Sequence, residues 1–311
     1  MNMSGNEKAT ICVVMSTFNG EKFVKHQIDS ILSQSNVNVD LYIRDDGSTD
    51  NTVNILEKIA VSNRSIKIIK GENIGYGRSF LSILQAVHGY QYYAFADQDD
   101  EWLPNKLEQA VLKINSMGDP DTSIICYWCN LRMVDEDLSI IGDMRPPKES
   151  DFYKGRYLID KYGYGCTMVF SSALKELAVR NLPNLHITHD NWVGLTGVFL
   201  GIPVFDERVF IKYRQHQNNV VGGNNRFLNT WRRRIKNFSK AKSLSRAIVA
   251  SELLRCYSDR ISNQDKGLLY MVSNYRKNLK NKLTFFFDTR TTRASFEKNI
   301  VFRIEILLSL A

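Results

Sequence analysis

Asp97-Gln98-Asp99-Asp100 places three carboxylates within four residues, directly after an apolar run. Carboxylates two positions apart beyond a strand can reach one hard divalent cation, Mg2+ or Mn2+, which keeps open positions for diphosphate oxygens. Such an ion neutralises charge that develops on a leaving diphosphate. The competing reading is a solvated acidic turn that caps the next helix. The apolar strand before Asp97, and Trp102 and Pro104 after the cluster, favour the ligand reading. Asp45-Asp46-Gly47-Ser48-Thr49-Asp50 is a second acidic turn. One carboxylate here can accept from a pyrimidine N–H or a ribose hydroxyl, while simple turn and N-cap chemistry explains the same residues; both can hold at once. His189-Asp190 precedes Asn191-Trp192. Its carboxylate suits a general base acting on an acceptor hydroxyl, or the pair caps a helix beginning at Asn191. His216 offers a third metal ligand through neutral imidazole, though a lone histidine is a structural residue unless its companions raise it. Cys126 and Cys129 form C-x-x-C within an apolar strand, where the two point to opposite faces; with no second pair, they read as buried thiols and not a zinc site.

These groups act together only if the chain brings them together. Ile11–Ser16 is a continuous apolar run and reads as a buried strand. A helix follows over Glu21–Gln34, with apolar residues at helical spacing. Strands are expected at Val39–Arg44, Ile66–Ile69, Tyr92–Ala96 and Ser123–Cys129, and helices at Thr49–Ala60 and Arg78–Val87. Such alternation gives an α/β fold with a mostly parallel sheet and helices on both faces. Ligands of these sheets sit at the carboxyl ends of the strands. Both acidic turns fall there, so they should converge on one cleft. From Asp151 to about Gly223 the pattern is irregular, with one helix near Ser172–Arg180, and Ser243–Tyr257 and Phe296–Leu310 are amphipathic.

The 311 residues are 43% hydrophobic and 24% charged, an ordinary globular composition. Charge is unevenly placed. Residues 226–311 hold 19 Lys/Arg against 6 Asp/Glu, net +13, while residues 1–225 are net −5. This suggests a catalytic body with an electrostatic docking segment. The polar start argues against a secretory signal, no stretch reaches the ~20 apolar residues of a spanning helix, and five cysteines do not make a disulfide framework. A cytoplasmic protein is expected, peripheral on the inner face of the cell membrane if the tail docks there.

In order and spacing, several stretches resemble the family 2 inverting glycosyltransferases of GT-A fold, and among them rhamnosyltransferase-type enzymes of O-antigen and capsule assembly. They are Val14–Gly20, Arg44–Asp50, Asn73-Ile74-Gly75, Asp97–Trp102, Gly165–Met168, His189–Trp192 and Tyr213–His216. The resemblance covers roughly Thr10–Gly223. It implies a Rossmann-like GT-A catalytic domain over residues 1–224 and a basic helical region over 225–311. It also implies a nucleotide diphospho-sugar donor, best dTDP-rhamnose, with a UDP-hexose as the alternative, and a lipid-linked or oligosaccharide acceptor. Ser16, Thr17 and Asp46 match base- and ribose-binding positions, and Gly75 and Arg78 the segment lining the nucleotide. Asn19, Asp97 and Gln98 join the nucleotide-sugar-binding set. Asp97 and Asp99 match the metal-binding motif, His216 a residue near metal and diphosphate, and Asp190 the catalytic base. Gly165, Cys166, Thr167 and Met168 resemble a loop beside donor sugar and acceptor, with Trp192 nearby. Asn191 and Glu101 depart from the pattern, and bear on donor or acceptor choice.

In the tail, Trp231-Arg232-Arg233-Arg234 with Ile235 and Phe238 mixes aromatics with cations and favours an anionic membrane surface. Phe285-Phe286-Phe287 and Ile300, Val301, Ile304 and Leu307 can add apolar contact, or these helices pack on the body. Nucleic acid is not an expected partner, because basic charge is confined to the tail and no reader motif appears. A non-catalytic basic binding protein is the different-class alternative.

Overall fold

The computed structural model describes residues 8–142, 148–160, 163–184, 187–216, 246–293 and 295–309. Its first half alternates as the apolar runs dictate: β1 (Thr10–Thr17), α1 (Val24–Leu32), β2 (Asn38–Asp45), α2 (Thr52–Ser62), β3 (Ile66–Lys70), α3 (Tyr76–Ala86) and β4 (Tyr92–Ala96). There follow β5 (Glu101–Trp102), α4 (Lys106–Met117), β6 (Ile125–Val134), β7 (Ile140–Gly142) and α5 (Lys154–Ile159). Then come β8 (Met168–Ser171), α6 (Ser172–Arg180), α7 (His189–Leu200) and β9 (Ile202–Arg214). The described chain closes with α8 (Arg246–Tyr257), α9 (Asn263–Asn274), α10 (Leu279–Phe287) and α11 (Phe296–Leu307).

The strands form one sheet in the order β3-β2-β1-β4-β8-β6-β9-β5, with β7 paired to β6. The first four are mutually parallel, as alternation with helices requires. The second half is mixed. β8 enters from an irregular turn, not a crossover helix, and runs antiparallel to both β4 and β6, while β6 and β9 are parallel. Side chains alternate between two cores, as a pleat demands. Cys12 and Val14 of β1 join Tyr93 and Phe95 of β4 on one face, while Ile11, Val13 and Met15 join Tyr92, Ala94 and Ala96 on the other. Cys126 and Cys129 fall in opposite cores, buried and with free thiols.

One core continues into the C-terminal helices. Trp192 of α7 is fully buried and stacks on Tyr257 of α8 at 5.6 Å. Tyr257 donates its hydroxyl to the Leu177 carbonyl at 3.1 Å, and Arg246 Nε donates to the Ile159 carbonyl at 2.7 Å. No described helix is long and apolar enough to cross a membrane.

The other core contains a buried cation. Lys106 is fully buried, with its Nζ 3.4 Å from the Trp102 ring centroid and no hydrogen-bond partner. Burial pushes this ammonium down to about 8. A folded-state pKa below the unfolded one means that the charged form opposes folding below pH 8, and that this penalty fades as pH rises toward the unfolded value. Lys106→Met should therefore gain on wild type by roughly 3 kcal/mol at pH 7.5, less at pH 9.5. Urea unfolding of both proteins at the two pH values reads the difference; a gap independent of pH would show that Lys106 is not desolvated.

Candidate active site

The two acidic turns meet at the carboxyl ends of the parallel strands, as expected. β1 and β2 are in register to their last residues, Thr17 opposite Asp45. Asp45 Oδ2 accepts from Thr17 Oγ1 at 3.0 Å and from Ser48 Oγ at 2.5 Å, so this carboxylate builds the turn. Asp46 is paired with Arg44 and accepts from the backbone N–H groups of Ile74 and Gly75, both at 2.9 Å. It thereby ties β2 to the start of α3, where Gly75 has φ +84°, a left-handed value that glycine adopts without cost. Ser16 donates to Ser79 Oγ at 2.6 Å. Asn19, at φ 47°, accepts from Thr49 N at 2.8 Å and locks the first turn to the second. Gln98 accepts from Phe18 N at 2.9 Å and donates to Phe18 O at 3.1 Å. A Cβ on Gly20 would lie 2.3 Å from Gln98 Oε1, so glycine permits that clamp.

β5 completes the acidic end. Its antiparallel pairing, Glu101 with Lys212 and Trp102 with Ile211, draws the end of β9 against the Asp97 turn. Arg214 donates Nε to the Asp99 carbonyl at 2.8 Å, and its backbone N–H to Asp100 Oδ1 at 3.2 Å. His216 Nε2 lies 2.7 Å from Asp99 Oδ2, and its ring stacks on Phe23 at 5.1 Å.

The donor set fits a divalent cation through part of the cluster. Among the described residues, Asp97, Asp100 and Cys166 bring ligand atoms within 4.8 Å of one another. Asp100 is fully buried with Oδ2 unpartnered. Burial, and then the charges of Asp99 and Asp97, push its carboxyl far up. Burial likewise raises the Cys166 thiol. Asp100 and Cys166 are both fully buried and off the cavity wall, and a thiol is a poor ligand for a hard cation such as Mg2+ or Mn2+. Asp97 and Asp99 stand on the cavity wall, with His216 against Asp99.

A cavity of about 1090 Å³ gathers most of the expected residues: Ser16, Thr17, Asn19, Asp46, Gly75, Asp97, Gln98, Asp99, Gly165, Asp190 and His216 all line it. Asp190 sits in the first turn of α7, which begins at His189, two residues before the expected start. It accepts from Asn191 N at 2.8 Å. His189 is packed behind it, stacked on Phe80 at 3.9 Å. Tyr76 joins the two halves of the site: burial raises its phenol, and the charges of Asp190 and Asp97 both add.

Other expected residues stand elsewhere. Trp192 lies in the core, its Nε1 donating to the Ala178 carbonyl at 3.0 Å, and is not on the cavity wall. Cys166, Thr167 and Met168 are buried beneath Gly165, and Arg78 is exposed on α3, outside the lining. Sequence reasoning missed Tyr76, Tyr164 and Tyr213, and the Lys22–Glu136 ion pair that joins two parts of the cavity wall. The missed Arg214 stands within a motif already singled out; its role emerges only once β9 is placed.

Gly165 shows how tightly Asp190 is held. A Cβ there would lie 3.1 Å from Asp190 Cβ and 3.1 Å from His189 Nε2. Gly165→Val should displace Asp190, lowering kcat by about 10²-fold with the melting temperature little changed. Steady-state kinetics with a thermal melt test this; undiminished kcat would mean that the loop does not set the position of Asp190.

Residues 12–177, more than half of the chain, match the family described as glycosyl transferase family 2. The chain belongs to that family. As a family 2 glycosyltransferase it is 30% identical over 235 residues to the dTDP-rhamnosyl transferase RfbG of Shigella flexneri, covering 70% of this chain and 77% of the relative. The GT-A fold is shared with S. aureus TarS 1–349 in complex with UDP-GlcNAc, at a TM-score of 0.60 and 15% identity over 97% of this chain and 82% of that one. It is shared too with the mannosyltransferase PcManGT from Pyrobaculum calidifontis in complex with GDP-Man and Mn2+, at 0.56 and 15% over 98% and 82%.

Proposed function

We propose that this glycosyltransferase moves rhamnose from dTDP-rhamnose to a hydroxyl of a saccharide or lipid-linked acceptor in surface-polysaccharide assembly, with inversion at the anomeric carbon. The observation that carries the catalytic part is the placement of Asp190 on the same cavity as Asp97 and Asp99. Likeness to RfbG supports the donor.

The nucleotide lies across the strand ends. The base and ribose sit by Ser16, Thr17 and Asp46, which line the cavity, and Phe18 and Tyr76 offer apolar ring surfaces at the rim. Asp97 and Asp99 would hold Mg2+ or Mn2+, which would offset the negative charge of the diphosphate. Asp190 accepts the proton of the acceptor hydroxyl as that oxygen attacks the anomeric carbon. The C–O bond to the diphosphate breaks in the same displacement, so no covalent sugar–enzyme intermediate forms. The solved fold relatives bind UDP-GlcNAc and GDP-Man, and a UDP-hexose is the second reading. Binding and slow hydrolysis of dTDP-rhamnose and UDP-sugars, each with Mg2+, Mn2+ or EDTA, tests the assignment. Metal-dependent selection of dTDP-rhamnose is expected; selection of a UDP-sugar would keep the mechanism and replace the donor.

A further inference from the structure

The last two helices carry an apolar surface that the body does not cover. α11 turns Phe302 and Ile306 into the core and leaves Ile300, Ile304 and Leu307 exposed along one face. α10 buries Phe285 and exposes Leu279, Leu283 and Phe287 at four-residue intervals. The expected apolar contact is thus corrected residue by residue: Phe285 is core, and Phe286 and Val301 are half-buried. Lys282 Nζ donates to the Leu307 carbonyl at 3.4 Å, which sets the end of α11 beside the start of α10 and makes the two stripes neighbours. Of 20 exposed large hydrophobic side chains among the described residues, 8 fall within residues 279–308, so this is a concentrated patch and not scattered exposure.

Charge selects the occupant. Lys277, Lys280 and Lys298 stand exposed around the stripes. Of the acids nearby, Asp288 is engaged by Arg290 at 2.6 Å and Glu305 by Arg293 at 2.9 Å, leaving Glu297 exposed. Residues 217–245 contribute seven more Lys/Arg and no Asp/Glu to the same C-terminal third; Trp231–Arg234, Ile235 and Phe238 lie among them, outside the described residues. A lysine-rimmed apolar face repels a second copy of itself and attracts an anionic surface.

We propose that the paired faces of α10 and α11 seat this protein on an anionic phospholipid bilayer, with Ile300, Ile304 and Phe287 entering the interface and Lys280 and Lys298 meeting the headgroups. The helices lie on the surface and do not cross it. This extends the lipid-linked acceptor reading, and its test needs neither donor nor acceptor, so the two fail separately. The full chain is floated with phosphatidylglycerol-containing and with pure phosphatidylcholine vesicles. Binding to the anionic vesicles is expected, and weakens steeply with salt. Ile300→Ser with Ile304→Ser should weaken it about tenfold or more. Lys280→Gln with Lys298→Gln should weaken it about fivefold per lysine. All four side chains are exposed, and retained donor binding shows that the variants are folded. Unchanged flotation of both variants would overturn the proposal. So would absent flotation of wild type accompanied by a dimer in sedimentation that the isoleucine variant dissolves, which would make the face a self-interface.

Discussion

Asp190→Asn lowers kcat by about 10²- to 10⁴-fold, while donor affinity stays within about twofold. The amide keeps the shape and can still accept from Asn191 N, the contact that Oδ1 makes at 2.8 Å. It cannot take the acceptor proton. The loss therefore falls on the chemical step, not on the nucleotide, whose turns at Asp45 and Asp97 lie on other elements. Pre-steady-state transfer with isotope-labelled donor, beside a titration of donor binding, separates the two. A variant that turned over normally would assign the proton to another group on the cavity.

Asp99→Ala has the second large effect. It removes one of the two carboxylates proposed to hold the cation and leaves His216, now 2.7 Å from Asp99 Oδ2, without that partner. Wild type should bind donor more weakly in EDTA than in Mn2+; the variant should bind equally weakly in both, and turnover should fall by about 10²-fold or more. Asp100→Asn is the contrast. That carboxyl is buried, held above its ordinary range, and accepts from Arg214 N, which an amide oxygen can also do. It should stay within about tenfold of wild type. Equal damage from both changes would place the cation deeper, against Asp100.

The legible parts of this molecule were the local ones. β1 and β4 announce themselves as apolar runs, β2 and β3 as short stretches rich in branched aliphatics, and all four boundaries fall within a residue of the expected ones. The acidic turns were visible for the same reason, since one short stretch carries both strand end and carboxylates. What stayed hidden depends on distant partners. In the sequence α7 stands only as the alternative reading of His189-Asp190, and it is buried on nearly every side and carries Gly194 and Gly197. They are glycines because a Cβ would lie 2.1 Å from Tyr157 Oη at one and 2.7 Å from Cys126 Cβ at the other. β9 runs 13 residues with mixed polarity, because it serves β6 along one edge and β5 at its end. The antiparallel placement of β8 has no local signature, as pairing direction is settled by the strands beside it. The resemblance places Trp192 near the acceptor; it stands two residues after Asp190, about 200° round the helix, so Asp190 meets the cavity while Trp192 lies in the core.

That last contact reaches beyond catalysis. The indole of Trp192 rests on Tyr257, so the helix that carries Asp190 is wedged by a helix from the basic third of the chain. Exchange of acceptor preference between relatives by splicing genes cannot cut at the end of β9. A seam there would pair one parent's α7 with a foreign α8 and leave a mismatched cradle under the reacting oxygen. Working hybrids should inherit α7 and α8 from a single parent, which makes the tail and the Asp190 helix one unit of descent.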